Sequence, residues 1–328
     1  MAKYILRRLL MIIPVMLGVT VIVFCLMEIA GGDPAAAILG ADANAESIRS
    51  MRESLGLNRP VIVRYLEYLK GVLTGDLGTS YTTKRPVMEE LLERLPTTIT
   101  LASLSVIIAG VLGIFLGVMS ATNQYSLLDK CITVLSLMGV SMPVFWLGLL
   151  LMLQFSLKLG WFPTSGFNSP ACWVLPAVTI GSRSAALIAR QTRSSMLEVI
   201  NQDYIRTAYA KGQQKKWVVM IHALKNALIP IVTLLGIQFG HGLGGAVVTE
   251  TVFSIPGIGK LMVDAINNRN YPLVEGGVLM IAFTFCIINL LVDVLYAVID
   301  PRIRVQYTGG ISESDSSESD SASQEVSS

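Results

Sequence analysis

Charge is scarce in this chain. Asp, Glu, Lys and Arg make up 15% of its 328 residues, against roughly a quarter in an average soluble protein. The net charge of +2 gives no argument for nucleic acid as a partner, and none is expected. Histidine is scarcer still: His222 and His241 are the only two, far apart in sequence. Cysteine occurs four times, at Cys25, Cys131, Cys172 and Cys286, with no CxxC and no Cys/His cluster. Neither a zinc site nor a disulfide framework is expected. HExxH, GxSxG and paired carboxylates within an apolar run are also missing. The nearest approach to a P-loop is Ile258-Gly259-Lys260, but Ser254 stands where the first glycine belongs and Leu261 where the hydroxyl belongs. A phosphate cradle needs that whole pattern. No catalytic residue, no metal site and no cofactor of its own is therefore expected.

What the chain has instead is apolar residues, 52% of the total, with a mean hydropathy of +0.61. They fall in runs long enough to cross a bilayer, about 20 residues each. The first, residues 9–30, follows Lys3, Arg7 and Arg8. It is too long for a signal-peptide core and no A-x-A site follows, so it reads as a retained span with its amino terminus in the cytoplasm. Further spans are read at 98–120, 132–157, 174–190, 228–249 and 273–299. The expected fold is an all-α integral membrane protein with six transmembrane helices and both termini cytoplasmic.

Four regions follow. Residues 1–30 hold the amino terminus and first span, and 31–97 an extracytoplasmic, partly helical segment with amphipathic stripes at 45–55, 60–73 and 87–95. Residues 98–305 form a five-span core, with a basic cytoplasmic loop at 190–227. Residues 306–328 are serine and acid with almost no apolar side chain, so they are expected to be disordered.

Few charges interrupt the spans, and those that do are informative. Arg183 and Asp293 should face protein or water rather than lipid. Span five is rich in glycine and also holds Gln238 and His241. Small residues there allow close helix packing. The same stretch reads as a pathway wall, with Gln238, Gly240, His241, Gly244 and Gly245 as candidate lining residues.

The chain is organised around residues 203–230, DYIRTAYAKGQQKKWVVMIHALKNALIP. Arg206, Lys211, Lys215, Lys216 and Lys225 stand against one acid, Asp203. Good helix formers run to Lys211, and Gly212 is a natural cap. The reading is helix, turn, helix on the positively charged side of the membrane, with Ala208 and Ala210 small enough to admit another surface. A plain basic loop, anchored by charge, accounts for the composition equally well.

The order Ala, Gly, distant Pro resembles the cytoplasmic coupling loop of ABC-importer permeases. The general motif is Glu-Ala-Ala, three residues, Gly; here Arg206, Thr207, Ala208 and Gly212 occupy those places and the acid is absent. Asp203 to Gly212 and His222 to Pro230 are similar to the peptide/nickel subfamily. So are Gly32-Asp33-Pro34, Gly75-Asp76-Leu77-Gly78, Ser141-Met142-Pro143, Thr192-Arg193-Ser194-Ser195-Met196-Leu197-Glu198, Glu250-Thr251-Val252-Phe253-Ser254 with Pro256-Gly257, and Asp300-Pro301-Arg302-Ile303-Arg304. In this order they resemble the first membrane subunit of dipeptide, oligopeptide and nickel importers over residues 1–305.

The resemblance implies a multi-pass protein of a prokaryotic inner membrane, embedded in lipid. It implies a second, similar permease, two ATPase subunits carrying ATP and magnesium, and an extracytoplasmic solute-binding protein. Asp203, Arg206, Thr207, Ala208, Ala210, Lys211, Gly212, Lys215 and Lys216 would form the coupling loop. The chain would supply half of an alternating-access pathway for di- or oligopeptides, with nickel chelates or glutathione as alternatives. An ion-coupled carrier would need cation sites near the midplane and usually internal repeats. Only Arg183 and Asp293 offer themselves, and no repeat is visible.

Overall fold

The computed structural model describes residues 2–299 except Gly31, Ala41 and Asp42. The tail at 306–328 and the side chain of Asp293 lie outside the described residues. Helix α1 (Ala2–Ile29) is followed by three short helices, α2 (Pro34–Leu39), α3 (Ala45–Ser54) and α4 (Val61–Thr74). The long helix α5 (Val87–Thr122) leads to α6 (Leu127–Ser141) and α7 (Val144–Leu151), the latter ending in a π-helical turn at Met152–Lys158. Next come α8 (Pro170–Ile200) and α9 (Asp203–Ala210). A short α10 (Lys215–Trp217) and a π-helical turn at Val218–Ala223 then run into α11 (Leu224–Val252). Helices α12 (Ile258–Asn267) and α13 (Tyr271–Ile299) complete the described chain. Among the described residues the only β pairing is an isolated bridge between Thr79 and Pro86.

Five helices are long and apolar enough to span a bilayer, and α6 with α7 makes a sixth crossing broken by a 108° bend. Packing shows that this broken pair crosses rather than turns back. At its start, Asp129 binds Ser120 and Arg193, near the ends of α5 and α8. After α7, Phe155 packs against a cluster that holds Leu101 and Leu175, in the first halves of the same two helices. The span read as continuous over 132–157 is therefore broken in its middle, at Pro143. A residue before proline is pushed out of the helical region, and Met142 is extended, at φ −74° and ψ 132°.

Other boundaries move for related reasons. The amphipathic helix expected at 87–95 and the span at 98–120 are one helix, α5, which passes through Pro96. The proline ring sits on an exposed turn beside exposed Leu92, clear of the packed face. Pro230 likewise lies inside a continuous helix, α11, which begins at Leu224, before the span read at 228–249.

The centre of the bundle is α8. Over its apolar window 56% of the helix is enclosed, against 17% for α1, so α8 is core and α1 is periphery. In lipid, apolar surface gains little by pairing, so close backbone approach matters. A Cβ on Gly113 would lie 2.8 Å from the Ala185 carbonyl, on Gly117 2.6 Å from that of Ala189, and on Gly181 2.7 Å from that of Ser105. Only glycine admits this contact between α5 and α8. At the edge, α1 packs on α13 and under α4. The Tyr65 ring meets Phe24 edge-on at 5.4 Å, and Arg64 binds the Glu28 carboxylate at 2.9 Å. Only part of the α4 stripe is used in this contact: Leu66 and Leu73 stay exposed.

Candidate functional site

Helix α9 stands at the end of the bundle shared by the end of α5, the end of α8 and the start of α11. It turns on a glycine cap: the Gln213 N–H donates to the Ala208 carbonyl at 3.4 Å and the Gly212 N–H to that of Tyr209 at 2.9 Å. That pairing places the glycine in the left-handed region, and its φ is +78°. The elbow is then pinned to the bundle. Ile205 and Ala208 are buried among Ala121, Met196, Val218, Val219 and Ala227. Asn226 donates to the Tyr204 hydroxyl at 3.0 Å, and His222 bonds Gln213 at 2.9 Å.

Of the loop residues expected from sequence, Asp203, Arg206, Thr207, Ala210, Lys211, Gly212, Lys215 and Lys216 are exposed. Ala208 is not; it is turned into the bundle. Arg206 and Asp203 approach to 3.7 Å, but their side chains are 76% and 97% exposed, so the pair contributes little. The outward face of the elbow is polar and basic, flanked by the half-exposed rings of Tyr204, Tyr209 and Trp217.

Beneath the elbow lies a clamp that the sequence did not reveal. Arg193 donates through Nε to Asp129 Oδ1 at 2.8 Å and through a terminal nitrogen to Oδ2 at 2.9 Å. Ser120 and the Tyr125 backbone N–H also donate to this carboxylate. Asp129 is buried, so one carboxylate joins α5, the α5–α6 turn, α6 and α8. Bidentate pairs of this kind fix geometry as well as charge. Sequence showed both residues but nothing that paired them across 64 positions.

At the opposite end Glu250, fully buried in the last turn of α11, organises α12. It accepts from Thr98 Oγ1 at 2.7 Å and from the Lys260 N–H at 3.0 Å, while Thr98 Oγ1 accepts from the Ile258 N–H at 2.9 Å. The glycine-rich stretch that looked like a fragment of a phosphate loop is thus a carboxylate-capped helix start. Gly257 packs so closely on Glu250 that no Cβ fits there.

The pathway candidates of α11 divide by face. Gln238 is buried and donates to Ser184 on α8 at 2.8 Å. Gly240 is buried against Phe285 of α13. His241 and Gly244 face outward and Gly245 is half-buried against Ile180. Arg183, next to Ser184, is exposed at the depth of His241, within about one helical turn.

These features define a class: a six-pass helical membrane subunit that presents one fixed elbow at its end. Inward-facing structures of the MetNI methionine ABC transporter share the fold, with a TM-score of 0.54 at 18% identity over 65% of this chain and 97% of that one. The family follows from sequence comparison. Residues 113–305 match the binding-protein-dependent transport system inner membrane component, and residues 1–102 match the N-terminal component of the same systems. The chain belongs to this family and is a permease subunit of a bacterial inner-membrane ABC importer. It is 44% identical to the dipeptide transport system permease protein DppB of Alkalihalophilus pseudofirmus, over 93% of this chain and 100% of that one. It is 45% identical to the glutathione transport system permease protein GsiC of Salmonella typhimurium, over 93% of this chain and 99% of that one.

Proposed function

We propose that this chain forms half of a translocation pathway for di- or oligopeptides. A second, similar permease completes the pathway, two ATPase subunits drive it, and an external binding protein supplies solute. The chain hydrolyses nothing itself; ATP and magnesium belong to the ATPases. The elbow carries the argument. Its outer face is exposed, while its inner residues are packed on α5, α8 and α11. Force on the one is delivered to the others. Seven Lys or Arg between Arg190 and Lys225 put this end in the cytoplasm. Nucleotide binding then favours whichever bundle packing fits the closed ATPases better. Arg183, His241 and Gly244, which are exposed within about two helical turns of one another, are the wall against which solute passes. Gln238 and Gly240 support that wall from behind.

The dipeptide and glutathione relatives together favour a peptide-like solute, and glutathione is the second reading. Gly212→Asp tests the coupling. A Cβ at Gly212 meets nothing within 4 Å, so the bundle is spared, but its φ of +78° strains any side chain. The expected variant reaches the membrane at normal levels, and its complex hydrolyses ATP without taking up labelled dipeptide. Normal uptake would refute the lever. Competition of that uptake by unlabelled dipeptide and by glutathione decides between the two solutes.

A further inference from the structure

A cavity of about 350 Å³ lies at the end of the bundle remote from the elbow, between α1, α4 and the start of α13. Its walls are aromatic and charged: Phe24, Tyr68, Tyr81 and Tyr271, with Arg59, Arg64, Glu67 and Glu275. Most of the charges are matched. Arg59 pairs with Glu67 at 2.5 Å, and Arg64 pairs with Glu28 at 2.9 Å. Glu275 is the exception. The residue is 8% exposed and has no hydrogen bond or salt bridge among the described residues; the opposite charge that acts on it, Arg64, is already bound to Glu28. The Tyr68 hydroxyl, buried in the same place, is also without a partner. Burial, with Glu275 nearby, pushes the Tyr81 hydroxyl up to about 12 and Tyr68 higher still, so both stay neutral phenols.

A buried carboxylate with no hydrogen-bonded counter-ion of its own is costly. The one charge missing from the cavity is positive, and the surfaces around it are rings whose faces attract cations. The two arginines hold their own acids, so an anion has no comparable vacancy. We infer that this cavity binds a primary ammonium group, with Glu275 as its counter-ion and the Tyr68 hydroxyl as a hydrogen-bond acceptor. Two sources share that chemistry: the amino terminus of a short peptide and the ethanolamine headgroup of a lipid. The site is separate from the outward face of α11 and from the elbow, so it stands whether or not the coupling proposal does.

The test uses the full chain in phosphatidylcholine nanodiscs. Dialanine and N-acetyl-dialanine are titrated in one arm. In the other, phosphatidylethanolamine is included and its retention is read by native mass spectrometry. The wild type is expected to bind dialanine and to reject the acetylated form, or to retain phosphatidylethanolamine over phosphatidylcholine. Glu275→Gln keeps the shape and removes the charge, and should weaken whichever ligand binds at least tenfold. Tyr68→Phe should weaken it several-fold while melting like the wild type. Binding of dialanine assigns the site to a peptide amine, and retention of lipid assigns it to a headgroup. If neither probe binds, or if both variants bind as well as the wild type, Glu275 is satisfied by a proton alone and the proposal falls.

Discussion

Arg193 holds Asp129 through two parallel N–H···O bonds, and both partners sit where two spans and a turn converge. Removing one partner of such a pair leaves the other charge buried, at a cost of roughly 3–5 kcal/mol. Arg193→Ala should therefore lower the thermal midpoint of the purified protein substantially. A double variant, Arg193→Met with Asp129→Leu, should recover most of the loss, because replacing a buried pair with apolar groups is often neutral. A double variant no more stable than the single one would show that the pair's hydrogen bonds, and not the stranded charge, carry the effect. Gly212 makes the opposite case. It touches little, and its importance lies in a backbone angle that other residues adopt only under strain.

At the scale of elements, α5 and α8 form the most extensive contact in the bundle, and small residues set the distance. Gly117 lies against the Ala189 carbonyl, where a Cβ would approach to 2.6 Å. Gly117→Val should cost about 1–3 kcal/mol by forcing the helices apart. Differential scanning fluorimetry in detergent would read this as a lowered midpoint, and a midpoint equal to the wild type would mean the contact is looser than described. Helix α12 depends on one side chain in another way. Glu250 supplies acceptors to the start of α12 from inside the protein, which joins the last turn of α11 to the loop beyond it.

For the whole molecule, sidedness is the decisive property. Residues 32–40, 43–86, 159–169 and 253–270 share one end of the bundle, and the elbow shares the other with the start of α1. In a background without its four cysteines, Lys215→Cys should react with an impermeant maleimide only from the cytoplasm, and Asn58→Cys only from outside. Reaction of both from one side would overturn the topology. Gly244→Cys should react from water and change its rate when nucleotide binds the assembled transporter, whereas Gln238→Cys should stay protected. An unreactive Gly244→Cys would place that face of α11 against lipid and remove it from the pathway.

Much of this protein was legible in the chain before it was folded. Long apolar runs admit few structures in a bilayer, because every backbone polar group there must be paired within its own helix. The positive residues near 190–227, Gly212 as a turn and the elbow's place ahead of α11 followed from local chemistry alone. Helix breaks were less legible. Pro96, Pro143 and Pro230 are the same residue type, yet one span breaks and two do not, because neighbouring packing decides whether a proline can be accommodated. The Asp129–Arg193 clamp, the Glu250 cap and the unmatched Glu275 were invisible for a further reason. Each is a meeting of residues far apart in sequence, and an unpaired charge is a property of what surrounds it. Composition and order determined that this chain spans a membrane and offers an elbow at one end. Only the three-dimensional packing decided which buried charges meet a partner among the described residues, because those partners lie far apart in sequence and come together only when the helices pack.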